Sequence, residues 1–329
     1  MPVNWKAFVD QISHYQSFVL TSHIRPDCDA LGSELGMAEV LRAVGKDVQI
    51  VNAHRTPPPL SFLDPAGRID VLGDSIEAEA VRADCLMVLD TSAWAQLGDM
   101  GDVLRASAAD KIVLDHHVGE DALGATMYKD YHAEATGHLV VQAADALQVP
   151  LTRAMAMPLF AAIATDTGWF RFGSVTPDTF RVIARLMEAG IVPAEVYGDL
   201  YERDTLGRLQ LRGRILANTA SELDGQLVHT HVLKKDFEET GAAPSDTEDA
   251  VNLTLAVEGT KAAVIMIEQP RGGFKLSFRS RCPLDCNEIA REFGGGGHKA
   301  AAGAFLEGTL QQVQDRVLPI VRKALEEVV

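Results

Sequence analysis

The stretch SFVLTSHIRPDCDALGSELGMAEVLRAVG, residues 17–45, decides the fold. Its first five residues are an apolar run of strand length. The turn-rich SHIRPDCDALGS follows, and from Ala30 onward apolar residues recur at helical spacing. Gly45 then supplies the residue type that ends helices, because it tolerates a left-handed backbone. DVQIVN (47–52), DCLMVLD (84–90) and DKIVLDHH (110–117) continue the first half as further strands, with the proline stop TPPP after DVQIVN. Helical patterns occupy Ala135 to Leu147 and Met157 to Thr165. Strands alternating with helices predict an α/β fold with a parallel sheet and helices on both faces.

From about Thr176 to Leu223 the pattern is mostly helical, and after Asp224-Gly225 it becomes a smaller α+β unit. Its expected strands are LVHTHVL, AAVIMIEQ and FKLSFRS, with helices at Thr247 to Val257 and Asp285 to Phe293. The glycine-rich GGGGHKAAAGAF and a terminal helix from Leu310 to Glu327 close it. The expected division is a first domain at 1–190, a helical connector at 191–223 and a second domain at 224–329. A length of 329 residues supports two hydrophobic cores rather than one.

Composition narrows the function. No apolar run is long enough for a membrane span, and MPVNWKAFVDQ lacks the apolar core of a signal peptide. Cys28, Cys85, Cys282 and Cys286 are too few for a disulfide scaffold. The expectation is a cytoplasmic protein with reduced thiols and no membrane partner. A net charge of −16 argues against long duplex nucleic acid, which is bound through broad basic faces. An acidic protein that handles phosphates does so more naturally through metal ions and a local basic cluster.

The candidate chemistry lies at the strand ends. His23, Asp90 and Asp115 each follow an apolar strand, and in open parallel sheets the carboxyl ends of strands line the ligand crevice. His23, Asp27 and Asp29 form H-x-x-x-D-x-D on the first loop, a pattern that can wrap divalent cations. Asp27 and Asp29 could equally be turn formers or helix caps. The cluster Asp115-His116-His117 has no packing rationale directly after a buried strand. Asp166 ends an apolar helical segment, where a bare carboxylate is costly unless paired. Each has a bland alternative when taken alone. Four segments offering Asp and His to one crevice favour a metal centre together.

In order, SHIRPDCDALGS, VLDTS, LDHH and ATDTGWF resemble the four motifs of the DHH phosphoesterases, and GGGGHKAAAGA resembles the glycine-rich motif of their DHHA1 domain. Among these the chain looks most like the compact oligoribonucleases that are also 3'-phosphoadenosine 5'-phosphate phosphatases. Cys28 departs from that group, which commonly has Gly between the two aspartates. The resemblance implies an active-site cleft between the domains and two divalent cations, Mn²⁺ first and Mg²⁺ as an alternative. It implies one cation on His23, Asp27 and Asp90, and the other on Asp29, Asp90, His116 and Asp166. It places His117 beside the reacting phosphate and Asp115 behind the histidines, orienting them. The implied reaction is in-line attack on phosphorus by hydroxide held on the two cations, without a covalent phosphoenzyme.

For substrate binding, the second domain holds six basic and three acidic residues between Arg271 and Lys299. Arg279 can offer a bidentate fork to phosphate, and Gly296 and Gly297 allow close backbone approach beside His298. Ser33 and Arg171 are further candidates. His54, His132, His138, His229 and His231 read as surface or capped histidines, and Trp94 and Trp169 as packing residues or base-stacking platforms. The expected activity is cleavage of short RNA to 5'-mononucleotides and removal of the 3'-phosphate of 3'-phosphoadenosine 5'-phosphate. Alternatives are a cyclic or linear dinucleotide phosphodiesterase and a non-catalytic nucleotide-binding regulator. A homodimer through first-domain helices is a further expectation.

Overall fold

A computed structural model describes residues 3–119, 121–247 and 250–328. The chain divides into two compact units, Met1–Glu202 and Arg203–Val329. No helix among the described residues is long and apolar enough to cross a membrane. All four cysteines are free thiols.

Among its described residues the first unit has six strands: β1 (Ser17–Thr21), β2 (Asp47–Asn52), β3 (Ile69–Val71), β4 (Cys85–Leu89), β5 (Asp110–Asp115) and β6 (Thr126–Lys129). Among the same residues seven α-helices accompany them: α1 (Trp5–Ser13), α2 (Cys28–Ala43), α3 (Asp99–Ala106), α4 (Thr136–Ala146), α5 (Arg153–Asp166), α6 (Pro177–Glu188) and α7 (Pro193–Tyr201). The sheet is parallel throughout, in the order β3-β2-β1-β4-β5-β6. The chain therefore winds outward from β1 in one direction and returns to start again at β4. Crossovers leave the sheet on opposite sides of this reversal, so a crevice opens where β1 and β4 end.

Apolar strand runs divide between two faces because successive side chains alternate. Phe18, Leu20, Met87, Leu89, Ile112 and Leu114 join α2, α4 and α5 in one core. Val19, Leu86, Val88 and Val113 meet Leu97 and, on α3, Met100 and Leu104 in the other. On the first face the helices approach very closely. A methyl group on Gly32 of α2 would lie 2.4 Å from the Pro158 carbonyl oxygen of α5, and one on Gly36 would lie 2.5 Å from Leu159. A methyl on Gly137 of α4 would meet Ala162 at 2.8 Å. Small residues thus bring the starts of α2 and α4 against α5.

The second unit contains α8 (Leu206–Ala217), β7 (Ala220–Glu222), β8 (Leu227–Val232), α9 (Lys234–Thr240), α10 (Ala250–Thr254), β9 (Ala262–Glu268) and β10 (Phe274–Ser280). It ends with α11 (Cys286–Arg291), β11 (Gly296–His298), β12 (Ala301–Leu306) and α12 (Leu310–Glu326). Its sheet runs β11-β12-β10-β9-β8-β7, with β8 and β9 parallel and the other pairs antiparallel. Val264, Met266, Leu276 and Phe278 pack with α11 and α12 on one face, while Ala263, Ile265 and Ile267 pack with α8 on the other.

The close helix contact sets the first prediction. Gly32→Ala should destabilise the protein by about 1–3 kcal/mol, because backbone rather than a flexible side chain opposes the methyl. Gly213→Ala in α8 meets nothing within 4 Å and should stabilise by up to about 1 kcal/mol through helix propensity. Urea unfolding of both variants checks the pair, and equal stabilities would refute the packing argument.

Candidate metal centre

The loop after β1 opens with Ser22 and His23, and the imidazole of His23 faces the carboxylates. Its Nδ1 lies 3.0 Å from the Ile24 carbonyl oxygen, which an N–H must satisfy, so in the neutral ring the lone pair sits on Nε2. That nitrogen stands 3.7 Å from Asp27 Oδ2 and 3.5 Å from Asp90 Oδ2. Beneath the loop, the Ser22 N–H donates to Asn52 Oδ1, and Asn52 donates to the buried Glu34. Asp27 caps α2: its Oδ1 accepts from the amides of Asp29 (3.0 Å) and Ala30 (3.1 Å). One oxygen caps the helix while the other faces His23, so the two readings of this residue are compatible.

Asp29 is buried and accepts three hydrogen bonds. Ser33 Oγ and the Gly137 amide donate to Oδ1, and the Thr136 amide donates to Oδ2 at 2.7 Å. The last two are the opening amides of α4, whose N-cap residue, Ala135, has no side-chain acceptor of its own. A carboxylate far away in sequence therefore supplies the missing cap. Asp90, at the end of β4, is held at φ 61, a left-handed conformation that is strained for a non-glycine residue. Thr136 Oγ1 donates to its Oδ1 at 2.8 Å.

His116 has Nδ1 at 3.2 Å from the Ala133 carbonyl oxygen. Its Nε2 lies 3.6 Å from Asp90 Oδ1, 3.6 Å from Asp166 Oδ2 and 3.8 Å from Asp29 Oδ2. His117 instead turns Nδ1 to Asp115 Oδ1 at 2.9 Å, and its side chain is 57% exposed. Two ligand groups result: His23, Asp27 and Asp90, and Asp29, His116 and Asp166, each with donor atoms within 4.8 Å of one another. Asp90, His116 and His117 form a third grouping of the same kind. A cavity of about 550 Å³ opens on the site, lined by His23, Asp27, Asp90, Ser92, His117 and, among others, Gln96 and Asp121.

The charges demand compensation. Burial pushes the Asp29 and Asp90 carboxyls above the usual carboxylate range, and the Asp29 charge adds to the effect on Asp90. Burial and then Asp29 raise Asp166 to about 6. Burial opposes protonation of His23, yet Asp27 and Asp90 raise it to about 11. Asp115 goes the other way, to about 2: its burial is outweighed by hydrogen bonds from His117 and Lys129. Oxygen and imidazole donors crowded in this way fit a hard or borderline divalent cation.

The other expected residues lie as follows. Ser33 is fully buried with its hydroxyl on Asp29, so the role available to it here is holding that carboxylate. Arg171 is exposed and donates from Nε to the Gly168 carbonyl. It follows three consecutive left-handed residues, Gly168, Trp169 and Phe170. In the second unit Arg279 and His298 are both register partners of Ala301, so the three share one cross-strand row. Gly297 has φ 152, and a Cβ there would lie 2.6 Å from the Ala301 carbonyl oxygen. His138 is buried against Glu134 at 2.9 Å, so it belongs to the interior rather than the surface. Trp169 packs edge-on against Phe160, Tyr197 and Tyr201. Sequence reasoning missed Thr136, Ser92 and Lys129.

Family models match this arrangement in both units. Residues 17–163 match the N-terminal domain of the DHH family, and residues 224–327 match the DHHA1 domain. The bifunctional oligoribonuclease and PAP phosphatase of Thermus thermophilus is 34% identical, over 93% of this chain and 89% of its own. The chain belongs to the DHH family. The Bacillus subtilis protein with the same description is 28% identical, covering 90% of this chain and 91% of that one. An exopolyphosphatase-related protein from Bacteroides fragilis superposes with a TM-score of 0.84 at 26% identity, covering 98% of this chain and 95% of that one.

Cations at this site would displace protons from His23 and from the raised Asp29 and Asp90, with Asp166, near 6, contributing only at the lower end of the range. Mn²⁺ affinity should therefore rise from pH 6 to 8, by about tenfold per pH unit for each proton displaced. Calorimetry in buffers of different ionisation enthalpy should show proton release. An affinity independent of pH would contradict these electrostatics.

Proposed function

We propose that this DHH-family phosphoesterase hydrolyses short RNA oligonucleotides to 5'-mononucleotides and removes the 3'-phosphate of 3'-phosphoadenosine 5'-phosphate, using two divalent cations, Mn²⁺ first. The names of the Thermus and Bacillus relatives support the substrate class. The observation that carries the two-cation reading is Asp90. Its Oδ2 faces His23 at 3.5 Å and its Oδ1 faces His116 at 3.6 Å, so one carboxylate serves both ligand groups.

In this reading His23, Asp27 and Asp90 hold one cation, and Asp29, Asp90, His116 and Asp166 hold the other. Bound there, the cations would activate water and offset charge on the phosphoryl oxygens. The protein supplies the positioning. Ile24 and Ala133 carbonyls fix the rings of His23 and His116, and the opening amides of α4 fix Asp29. His117, with Nδ1–H on the ionised Asp115, presents Nε2 as the nitrogen left to meet the reacting phosphate. Arg279 and His298, in one row of the second sheet, are the phosphate contacts proposed for the second unit. The net charge of −16 supports small substrates over long duplexes.

An assay panel in Mn²⁺ tests the proposal: RNA dimers to pentamers, longer RNA, 3'-phosphoadenosine 5'-phosphate, cyclic dinucleotides and pyrophosphate. Short RNA and the bisphosphate nucleotide should be hydrolysed best, and turnover confined to long RNA or pyrophosphate would overturn the assignment. Asp90→Ala should abolish activity and the paired Mn²⁺ binding seen by calorimetry. Arg279→Ala should raise KM about 10–100-fold with a smaller effect on kcat, as expected for the loss of a charged phosphate contact.

A further inference from the structure

Lys129 ends β6 directly beside Asp115 at the end of β5, the two being register partners on adjacent parallel strands. Its side chain is only 4% exposed. An ammonium group has three donors, and here each meets an acceptor: Asp115 Oδ2 at 3.0 Å, Ser92 Oγ at 2.5 Å and the Gly119 carbonyl oxygen at 2.6 Å. Those acceptors belong to the loop after β4, the end of β5 and the loop after β5. Ser92, Gly119 and His117 all line the cavity over the metal centre.

The two oxygens of Asp115 then have separate duties. Oδ2 takes Lys129 and the Ser92 hydroxyl, while Oδ1 takes the amide of His117 at 3.0 Å and its Nδ1 at 2.9 Å. His117 Nδ1 has a second acceptor within reach, Asp90 Oδ1 at 3.7 Å. If Asp115 lost its anchor, the ring could turn toward the carboxylate shared by both ligand groups. The grouping of Asp90, His116 and His117 shows that such an arrangement is geometrically open. We propose that Lys129 is a positioning residue that acts through Asp115, holding His117 away from Asp90 and free for substrate. This rests on the phosphoester hydrolysis proposed above.

A bland account makes Lys129 a buried ion pair that merely ties β5 to β6. Well-packed apolar residues commonly hold strands as well as a buried pair does. All three acceptors here lie on segments that bound the reaction site, which strand cohesion does not require.

A double-mutant cycle separates the accounts. Lys129→Met should lower kcat about 10–100-fold with KM within about twofold, the range found when a partner behind a catalytic group is removed. In an Asp115→Asn background the same change should have no further effect on kcat, because the route through Asp115 is already broken. Lys129→Gln, which keeps a neutral donor, covers the case in which the methionine variant fails to fold, and should fall between wild type and Lys129→Met. The ¹⁵N spectrum of the His117 ring in the metal-free protein gives a readout independent of activity. Recorded at alkaline pH, where the ring is neutral, it should show an Nδ1–H tautomer in wild type and a shifted ring signal in Lys129→Met or Lys129→Gln. Equal kcat losses in both backgrounds, or an unchanged ring spectrum, would overturn the proposal. If wild type hydrolyses no phosphoester in Mn²⁺, the functional reading fails, while the ring spectrum still decides the role of Lys129.

Discussion

Asp29 and Asp90 are two buried carboxylates brought side by side, and the opening turn of α4 makes that arrangement tolerable. Its first two amides donate hydrogen bonds that stabilise the Asp29 carboxylate, and the Thr136 hydroxyl restrains Asp90. Amides can do this only if the start of α4 is driven against the start of α2. That in turn requires Gly32, Gly137 and Ala162 where the helices meet α5. The small-residue seam in the core and the buried charge cluster at the helix starts are therefore one construction. A larger residue in the seam would move the helix start away from the carboxylate it caps.

Much of the first unit was legible because its central strands are continuous apolar runs of strand length, and β1, β2, β4 and β5 lie where those runs lie. The edge strands were not. β3 is three residues long, and TMYK in β6 buries only Tyr128, so neither carries a periodic signal. The ligand candidates stood out because carboxylates and histidines directly after buried strands have no packing purpose. Their different surroundings did not: spacing cannot separate His116 from His117, whereas the structure puts a carbonyl behind one and a carboxylate behind the other. Thr136 and Lys129 were invisible for a related reason. One acts on residues 46 and 107 positions away, and the other matters through strand register. Ser33, a candidate substrate contact, gains from the structure a partner that sequence does not show: its helix turn places its hydroxyl on Asp29.

The second unit uses simpler means. Antiparallel register, rather than loop convergence, lines up Arg279 and His298 on either side of a small residue, Ala301. Gly297 is required next to this row because β12 passes too close for any side chain. The local surplus of basic residues was visible in the sequence, but which of them share a face follows only from pairing.

Asp27 acts both as the cap of α2 and as a proposed cation ligand, and this has a thermodynamic consequence. The loop it belongs to is already fastened by the helix it starts, and the rings of His23 and His116 are oriented by main-chain carbonyls. Little chain is left to be ordered when ions arrive. Cation binding there would then be chiefly an exchange of protons and hydration water, with a small change in heat capacity, rather than an act of folding.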